Sequence, residues 1–271
     1  MGTKTKIDWC DSTWNPVTGC LHGCEYCYAR KIAERFAGWN SLEIRGTVKG
    51  TTFWRQDGAC EPLFDVSDMQ AKTQKGGKVV PAPYPFGFCP TFHRYKLDEP
   101  QHWKEPHTIF VCSMADLFGD WVPGEWIEQV FEACEAAPQH RYLFLTKNPK
   151  RYVDLYRNGI LRVRDSFWYG STIMGANEPF FFSRMPDDNP HTFCSIEPIL
   201  EPVGTMQEMP DWVIVGAETG NRRGKVVPRK EWIDEIAAEC KRHRKPLFVK
   251  DSLRDLMGDD FKQEFPWEVD K

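Results

Sequence analysis

Ten residues near the start of the chain carry its densest chemistry: Gly19-Cys20-Leu21-His22-Gly23-Cys24-Glu25-Tyr26-Cys27-Tyr28. Three residues separate the first two cysteines and two separate the next pair, with an aromatic directly before the last. Three thiolates at that spacing suit three irons of a four-iron, four-sulfur cluster, which usually takes four. A loop that offers only three leaves one iron open to another ligand. The same residues allow other readings. Zinc could take the Cys24-Glu25-Tyr26-Cys27 half, completed by His22 or, better, by the remote Cys10. Three core thiols are the plainest alternative, but a glycine-flanked loop holding His and Glu is too polar for that.

The flanking elements must position this loop. Ile7, Trp9, Thr13, Trp14 and Val17 read as an extended run broken at Asn15-Pro16. After Cys27, the residues Ala29, Ile32, Ala33 and Phe36 recur at helical spacing, with Gly38 as a stop. Residues 39–106 break every pattern with Gly, Pro and aromatics, and are too long for an ordinary loop. They read as an insertion with short elements of its own. From 107 on, short apolar strands alternate with helices: strands 109–113, 142–146, 167–172, 191–196, 212–216 and 246–250, with helices near 124–137, 149–158 and 229–243. That alternation means a parallel sheet covered by helices. The expected fold is α/β, a partial (β/α)6 TIM-type barrel with an irregular insertion after the first helix. One domain, 1–271, would hold it all, with 39–106 as insertion and lid.

Each strand end carries polar chemistry: Ser113 and Asp116, Lys147, Ser171, Ser195 and Glu197, Glu218, then Lys250-Asp251. Polar groups gathered at the carboxyl ends of parallel strands mark the active face of a barrel. Turn and cap residues often follow strands as well, but six such ends in succession favour a site.

A net charge of −4, from 35 Lys+Arg against 39 Asp+Glu, excludes a bulk polyanion binder and leaves room for a local basic patch. No segment reaches the roughly 18 apolar residues of a membrane span, and the N-terminus lacks the apolar core of a signal peptide. Ten cysteines in a chain of 271 residues without such a signal point to metal binding or reduced core thiols, and to the cytoplasm. Cys112, Cys134, Cys194 and Cys240 sit inside apolar patterns and read as core. Cys60 and Cys89 lack metal-ligand spacing with any partner. Arg222, Arg223, Lys225, Arg229 and Lys230 form a basic run past the fifth strand, which suits a phosphate-bearing substrate or a solvated loop. Lys241 to Lys245 end a helix, where positive charge suits the dipole.

The spacing Cys20-x-x-x-Cys24-x-Tyr26-Cys27 resembles the signature of the radical S-adenosylmethionine superfamily. Thr13 to Cys20, Ser113 to Phe118, Leu145-Thr146-Lys147, Ser195 to Pro198 and Asp211 to Gly220 are similar to one branch of it. That branch is a phage-associated family of unassigned function, labelled by phage gene products thirty-seven and sixty-eight and similar to spore photoproduct lyase. The match covers 7–38 and 107–251.

The resemblance implies a [4Fe-4S] cluster on Cys20, Cys24 and Cys27, with S-adenosylmethionine chelating the open iron. Reductive cleavage would give a 5′-deoxyadenosyl radical that abstracts hydrogen from a substrate. It also implies an external one-electron reductant of flavodoxin or ferredoxin type, and a nucleic acid or nucleotide as one substrate class. A protein or small-molecule substrate, or a non-catalytic metal protein, are the alternatives. By the same resemblance Lys147 meets the methionine carboxylate, and Asp116 or Ser113 the amino group. Ser171, Ser195 or Glu197 hold the ribose, Tyr26 lies by the adenine, Val213 to Gly216 pack under it, and Glu218 completes the set.

Overall fold

The computed structural model describes residues 5–38, 41–174, 190–206 and 209–268. Two compact units emerge: Ser12–Tyr142 forms one, and Thr5–Asp11 with the chain from Leu143 on forms the other.

The first unit opens with β1 (Ser12–Trp14) and β2 (Val17–Thr18), followed after the cysteine loop by α1 (Tyr28–Arg35). The insertion then supplies β3 (Leu42–Glu43), β4 (Val48–Trp54), β5 (Cys60–Val66), β6 (Ala71–Thr73), β7 (Val79–Pro81) and β8 (Thr91–His93). These build two small sheets, ordered β2-β8-β5-β4 and β3-β6-β7. The insertion therefore shares a sheet with β2, the strand that leads into the cysteines. Beyond it come β9 (Thr108–Val111), α2 (Gly124–Glu135) and β10 (Arg141–Thr146), whose residues are divided between the units. Register pairs β1 with β9 in parallel, Ser12 to Ile109 and Trp14 to Val111. Alternation along these short strands buries Ser12 and Trp14, and the Trp14 indole N–H donates to the Lys96 carbonyl at 2.8 Å.

The second unit contains α3 (Lys150–Arg157), β11 (Phe167–Thr172), β12 (His191–Ile196), β13 (Trp212–Val215), α4 (Lys230–His243), β14 (Leu247–Val249) and the short α5 (Arg254–Met257). Strands β11 to β14 pair in parallel and in sequence order. Hydrogen bonding orders the parallel strands β1-β9-β10-β11-β12-β13-β14. The strand count is thus seven rather than six, because Ser12–Trp14 joins the sheet. The strict βα alternation of a (β/α)6 barrel also fails in part: no helix is present among the described residues between β12 and β13.

In the second unit, one sheet face meets α4. Cys194, Ile196, Val213 and Val215 pack there with Ile233, Ile236 and Cys240, as the 3.6-residue period of the helix requires. The opposite face carries aromatics, with Phe193 and Trp212 both against Trp9 at 6.1 and 6.3 Å between centroids. Cys112, Cys134, Cys194 and Cys240 are all buried, as their apolar surroundings predict. Burial pushes the Cys112 and Cys240 thiols up to about 12 and keeps them neutral.

One apolar expectation fails. Ala29 and Ala33 of α1 are buried, but Ile32 and Phe36 are 38% and 46% exposed. The small residues alone face the interior, because there the helix packs closely on Phe88 and Met114.

Gly170 tests the tightness of the second unit. A methyl group there would lie 2.3 Å from the Phe193 ring on the neighbouring strand. Gly170→Ala is expected to cost about 1–3 kcal/mol through overpacking, seen as a lower denaturant midpoint at unchanged slope. An unshifted midpoint would show that β11 and β12 are looser than described.

Candidate functional site

The cysteine loop is cinched at its first residue. Gly19 has φ +87°, and its N–H donates to the Met114 carbonyl at 2.9 Å, in a parallel bridge with Ala115. A side chain there would sit 2.3 Å from the Cys89 carbonyl oxygen, so both the backbone twist and the close approach demand glycine. Just upstream, Thr18 and β8 lock the entry. The Tyr95 hydroxyl donates to Met69 Sδ at 3.3 Å, which leaves the His93 Nδ1–H to donate to Tyr95 at 3.2 Å. His93 Nε2 then accepts the Thr18 hydroxyl at 2.8 Å. Burial, aided by the Lys96 charge, holds the His93 imidazole well below its ordinary range, so it stays neutral.

Further along, His22 Nε2 donates to Asp116 Oδ2 at 2.7 Å, and Trp121 lies edge-on to the imidazole at 4.9 Å. Asp116 is only 5% exposed, and its other oxygen accepts the Phe118 N–H at 3.0 Å. Arg55, from the insertion, donates to the Leu21 carbonyl at 2.9 Å while its guanidinium pairs with Glu61. The Tyr28 hydroxyl donates to the Ser113 carbonyl at 2.8 Å. Asn15 Oδ1 accepts from both the Ser113 hydroxyl and the Met114 N–H. The loop, the end of β9 and the insertion thus form one hydrogen-bonded assembly inside the first unit.

Cys20, Cys24 and Cys27 are all half-buried free thiols. Cys20 and Cys27 pack on one apolar cluster with Ala29, Ala33, Phe88 and Met114. Cys27 caps α1, its sulfur accepting the Arg30 N–H at 3.4 Å. The Cys20 thiol is pushed up to about 12, chiefly by burial and then by the Asp116 charge. The His22 N–H opposes that, and charge on Cys24 or Cys27 adds to it.

Among the described residues, no three His, Cys, Asp or Glu side chains converge as ligands of a metal ion. His22, one of the candidate zinc ligands, is turned to Asp116. Thiolates that each sit on a separate iron need not converge on a point. The donor set, three thiols on one loop, is therefore compatible with a cluster.

The strand ends of the second unit are largely paired with each other. Glu197 is bonded to Lys250, whose Nζ lies 4.0 Å from Asp8 Oδ1. A side chain at Gly216 would collide with the Lys250 stem at 2.7 Å. Glu218 is buried and takes both arms of Arg222 at 2.7 and 2.8 Å. Lys147 Nζ stands 3.6 Å from Met174 Sδ. Register pairs Ser171 with Cys194, and Ser195 with Thr172 and Ile214. Side chains alternate along a strand, so Ser171 and Ser195 lie on opposite faces of the sheet, Ser171 on the face that α4 covers. Asp8, Asn15 and Arg55 are not among the site residues named from sequence, while His22 enters there only as an alternative zinc ligand and Lys250 only as a strand-end group. A His inside the cysteine loop and a Lys at the last strand end were the available signals. Nothing in the spacing of Asp8, Asn15 or Arg55 marks them.

The basic run after β13 is mostly spent within the chain. Besides Arg222, Lys230 pairs with Asp234 and Asp260, Lys225 donates to the Gly220 carbonyl, and Arg229 lies over Trp232. The Lys241–Lys245 stretch ends α4 as expected, with Arg242 on Glu239 and Lys245 on Asp211.

The carboxylate beside Cys20 makes a measurable demand. In metal-free, reduced protein, alkylation of Cys20 should lag far behind that of the exposed Cys60 at pH 8, as read by mass spectrometry. Asp116→Asn removes a charge that raises the Cys20 pKa, so the rise in Cys20 reactivity should move to lower pH. An unmoved profile would mean that the carboxylate and the thiol are not neighbours.

No curated protein and no solved structure matches the chain. A family model described as "Protein of unknown function (DUF5131)" matches residues 4–255, and the chain belongs to that family.

Proposed function

We propose that Cys20, Cys24 and Cys27 hold a four-iron, four-sulfur cluster and that the protein is a radical S-adenosylmethionine enzyme. The observation that carries this reading is the placement of three free thiols on one glycine-cinched loop, with Cys20 and Cys27 packed in one apolar cluster, together with their spacing. Bound there, the cluster and S-adenosylmethionine would supply reductive carbon–sulfur cleavage and hydrogen abstraction by a 5′-deoxyadenosyl radical.

The chain's own contribution is positioning and exclusion of water. His22 and Asp116 fix the loop backbone between the first two cysteines, so we assign Asp116 to the loop in place of the ligand's amino group. Ser113 stays near that amino group, held by Asn15. Tyr26 offers its backbone to the adenine and Lys147 a cation to the carboxylate. Of Ser171 and Ser195, the latter shares its sheet face with Ile214, in the strand assigned to the adenine. Glu197 and Glu218 act through their Lys250 and Arg222 partners. On this reading the seven-stranded parallel sheet serves as a partial TIM-type barrel around the cofactor, and an external one-electron reductant is required. The case for a nucleic acid or nucleotide substrate rests on Arg223, Lys225 and Arg229, because Arg222 and Lys230 are neutralised by carboxylates. No helix among the described residues is long and apolar enough to cross a membrane.

Anaerobic reconstitution tests the reading. The expected result is a brown protein with about four irons per chain, releasing 5′-deoxyadenosine when dithionite and S-adenosylmethionine are added. Alanine at Cys20, Cys24 or Cys27 should abolish both iron retention and release. A colourless, zinc-loaded protein without cleavage would overturn it. Charge reversal at Arg223 and Arg229 should weaken salt-sensitive binding to single-stranded DNA or RNA, and unchanged binding would favour a protein or small-molecule substrate.

A further inference from the structure

Helix α1 and its C-cap carry one partly exposed apolar face. Tyr28, Ile32 and Phe36 stand four residues apart and are 50%, 38% and 46% exposed. Residues at that spacing line up on a helix, so the three form one apolar stripe. Lys31 and Arg35, also four apart and exposed, run beside it. Neither forms an ion pair among the described residues, whereas the nearby Glu34 is met by Arg30 at 3.9 Å. Lys72 adds a third cation at the far end, where it donates to the Phe36 and Ala37 carbonyls. The chain as a whole is acidic, at −4, so this cationic edge stands against the general charge.

We propose that this face docks an acidic one-electron donor protein of the flavodoxin type. The inference rests on the cluster reading above, and deepens it by naming where the reductant sits. An apolar centre with a charged rim is the anatomy of a transient interface, and the Lys31–Arg35 edge selects and steers a negatively charged partner. Position makes it useful. Cys27 caps the helix at its start and Phe36 at its end, and a rise of 1.5 Å per residue puts their backbones roughly 13 Å apart along the axis. A flavin donor docked there would give up one electron, with no atom transferred, to a centre held by Cys20, Cys24 and Cys27. A second copy of the chain suits the face less well, because a two-fold contact there sets the Lys31–Arg35 edges against each other.

The test is association of oxidised flavodoxin with the metal-free full-length chain, followed by fluorescence anisotropy across a salt series. Binding should weaken as salt rises. It should fall at least about tenfold in Lys31→Glu/Arg35→Glu and in Ile32→Ser/Phe36→Ser. Lys241→Glu, a charge reversal on α4, should leave it unchanged. Circular dichroism confirms that each variant keeps its fold. Absent binding, or equal binding by the α1 variants, overturns the proposal, as does a concentration-dependent dimer that those variants abolish. Reconstituted protein separates the two levels of inference. Release of 5′-deoxyadenosine with dithionite but no flavodoxin binding sinks the docking face alone. Failure to take up iron sinks the cluster reading and, with it, the assignment of any docked partner as a reductant.

Discussion

The first unit depends on the missing side chain of Gly19. At that point the chain turns through a left-handed conformation and passes within contact distance of the Cys89 carbonyl, while its N–H is tied to Met114. Any Cβ would push the insertion away from the loop or rotate the loop off β9. The three thiols, the His22–Asp116 bond and the start of α1 all follow within a few residues, so each inherits its place from this one approach. The insertion is consequently part of the scaffold of the cysteine loop. Its β8 pairs with β2, His93 holds Thr18 and Arg55 holds Leu21, contacts that a detachable cover would not supply.

Burial and the Asp116 charge oppose the thiolate form of Cys20. A carboxylate beside a half-buried thiol favours the neutral sulfur, and that preference reverses when a cation shares the site. The second unit shows the opposite economy. Its strand-end carboxylates are matched by Lys250 and Arg222, so Glu197 and Glu218 stand as paired charges. A lone buried carboxylate is costly, and a charged partner offsets part of that cost. The pairing explains why a basic run that looks like a phosphate site in one dimension is largely neutralised in three.

Much of the sheet was legible because buried parallel strands are short, continuous apolar runs. The runs at 167–172 and 191–196 match β11 and β12, and 212–216 covers β13 with one residue to spare. Ser12–Trp14 escaped assignment to the sheet because three residues carry too little periodicity to show a partner. The insertion escaped in part because β8 pairs at long range with β2 and β5, and such pairing leaves no local signal, although its β4–β5 and β6–β7 hairpins are local. On α1, spacing marked four apolar positions correctly but could not tell two packed alanines from an exposed Ile32 and Phe36. Helical period says which residues share a face and not whether a neighbour covers it.

From the sequence alone came the α/β class, the order of strands and helices from residue 107 on, the buried core cysteines and the residue types of the cysteine loop. All of these follow from residue type and local spacing. Only the tertiary structure decided which groups meet: His22 with Asp116, Arg55 with Leu21, Lys250 with Glu197, and Ser171 turned to the opposite sheet face from Ser195. Those pairings join residues as much as 94 positions apart, as for His22 and Asp116. Register and packing set such distances, and neither is written in any single stretch of chain.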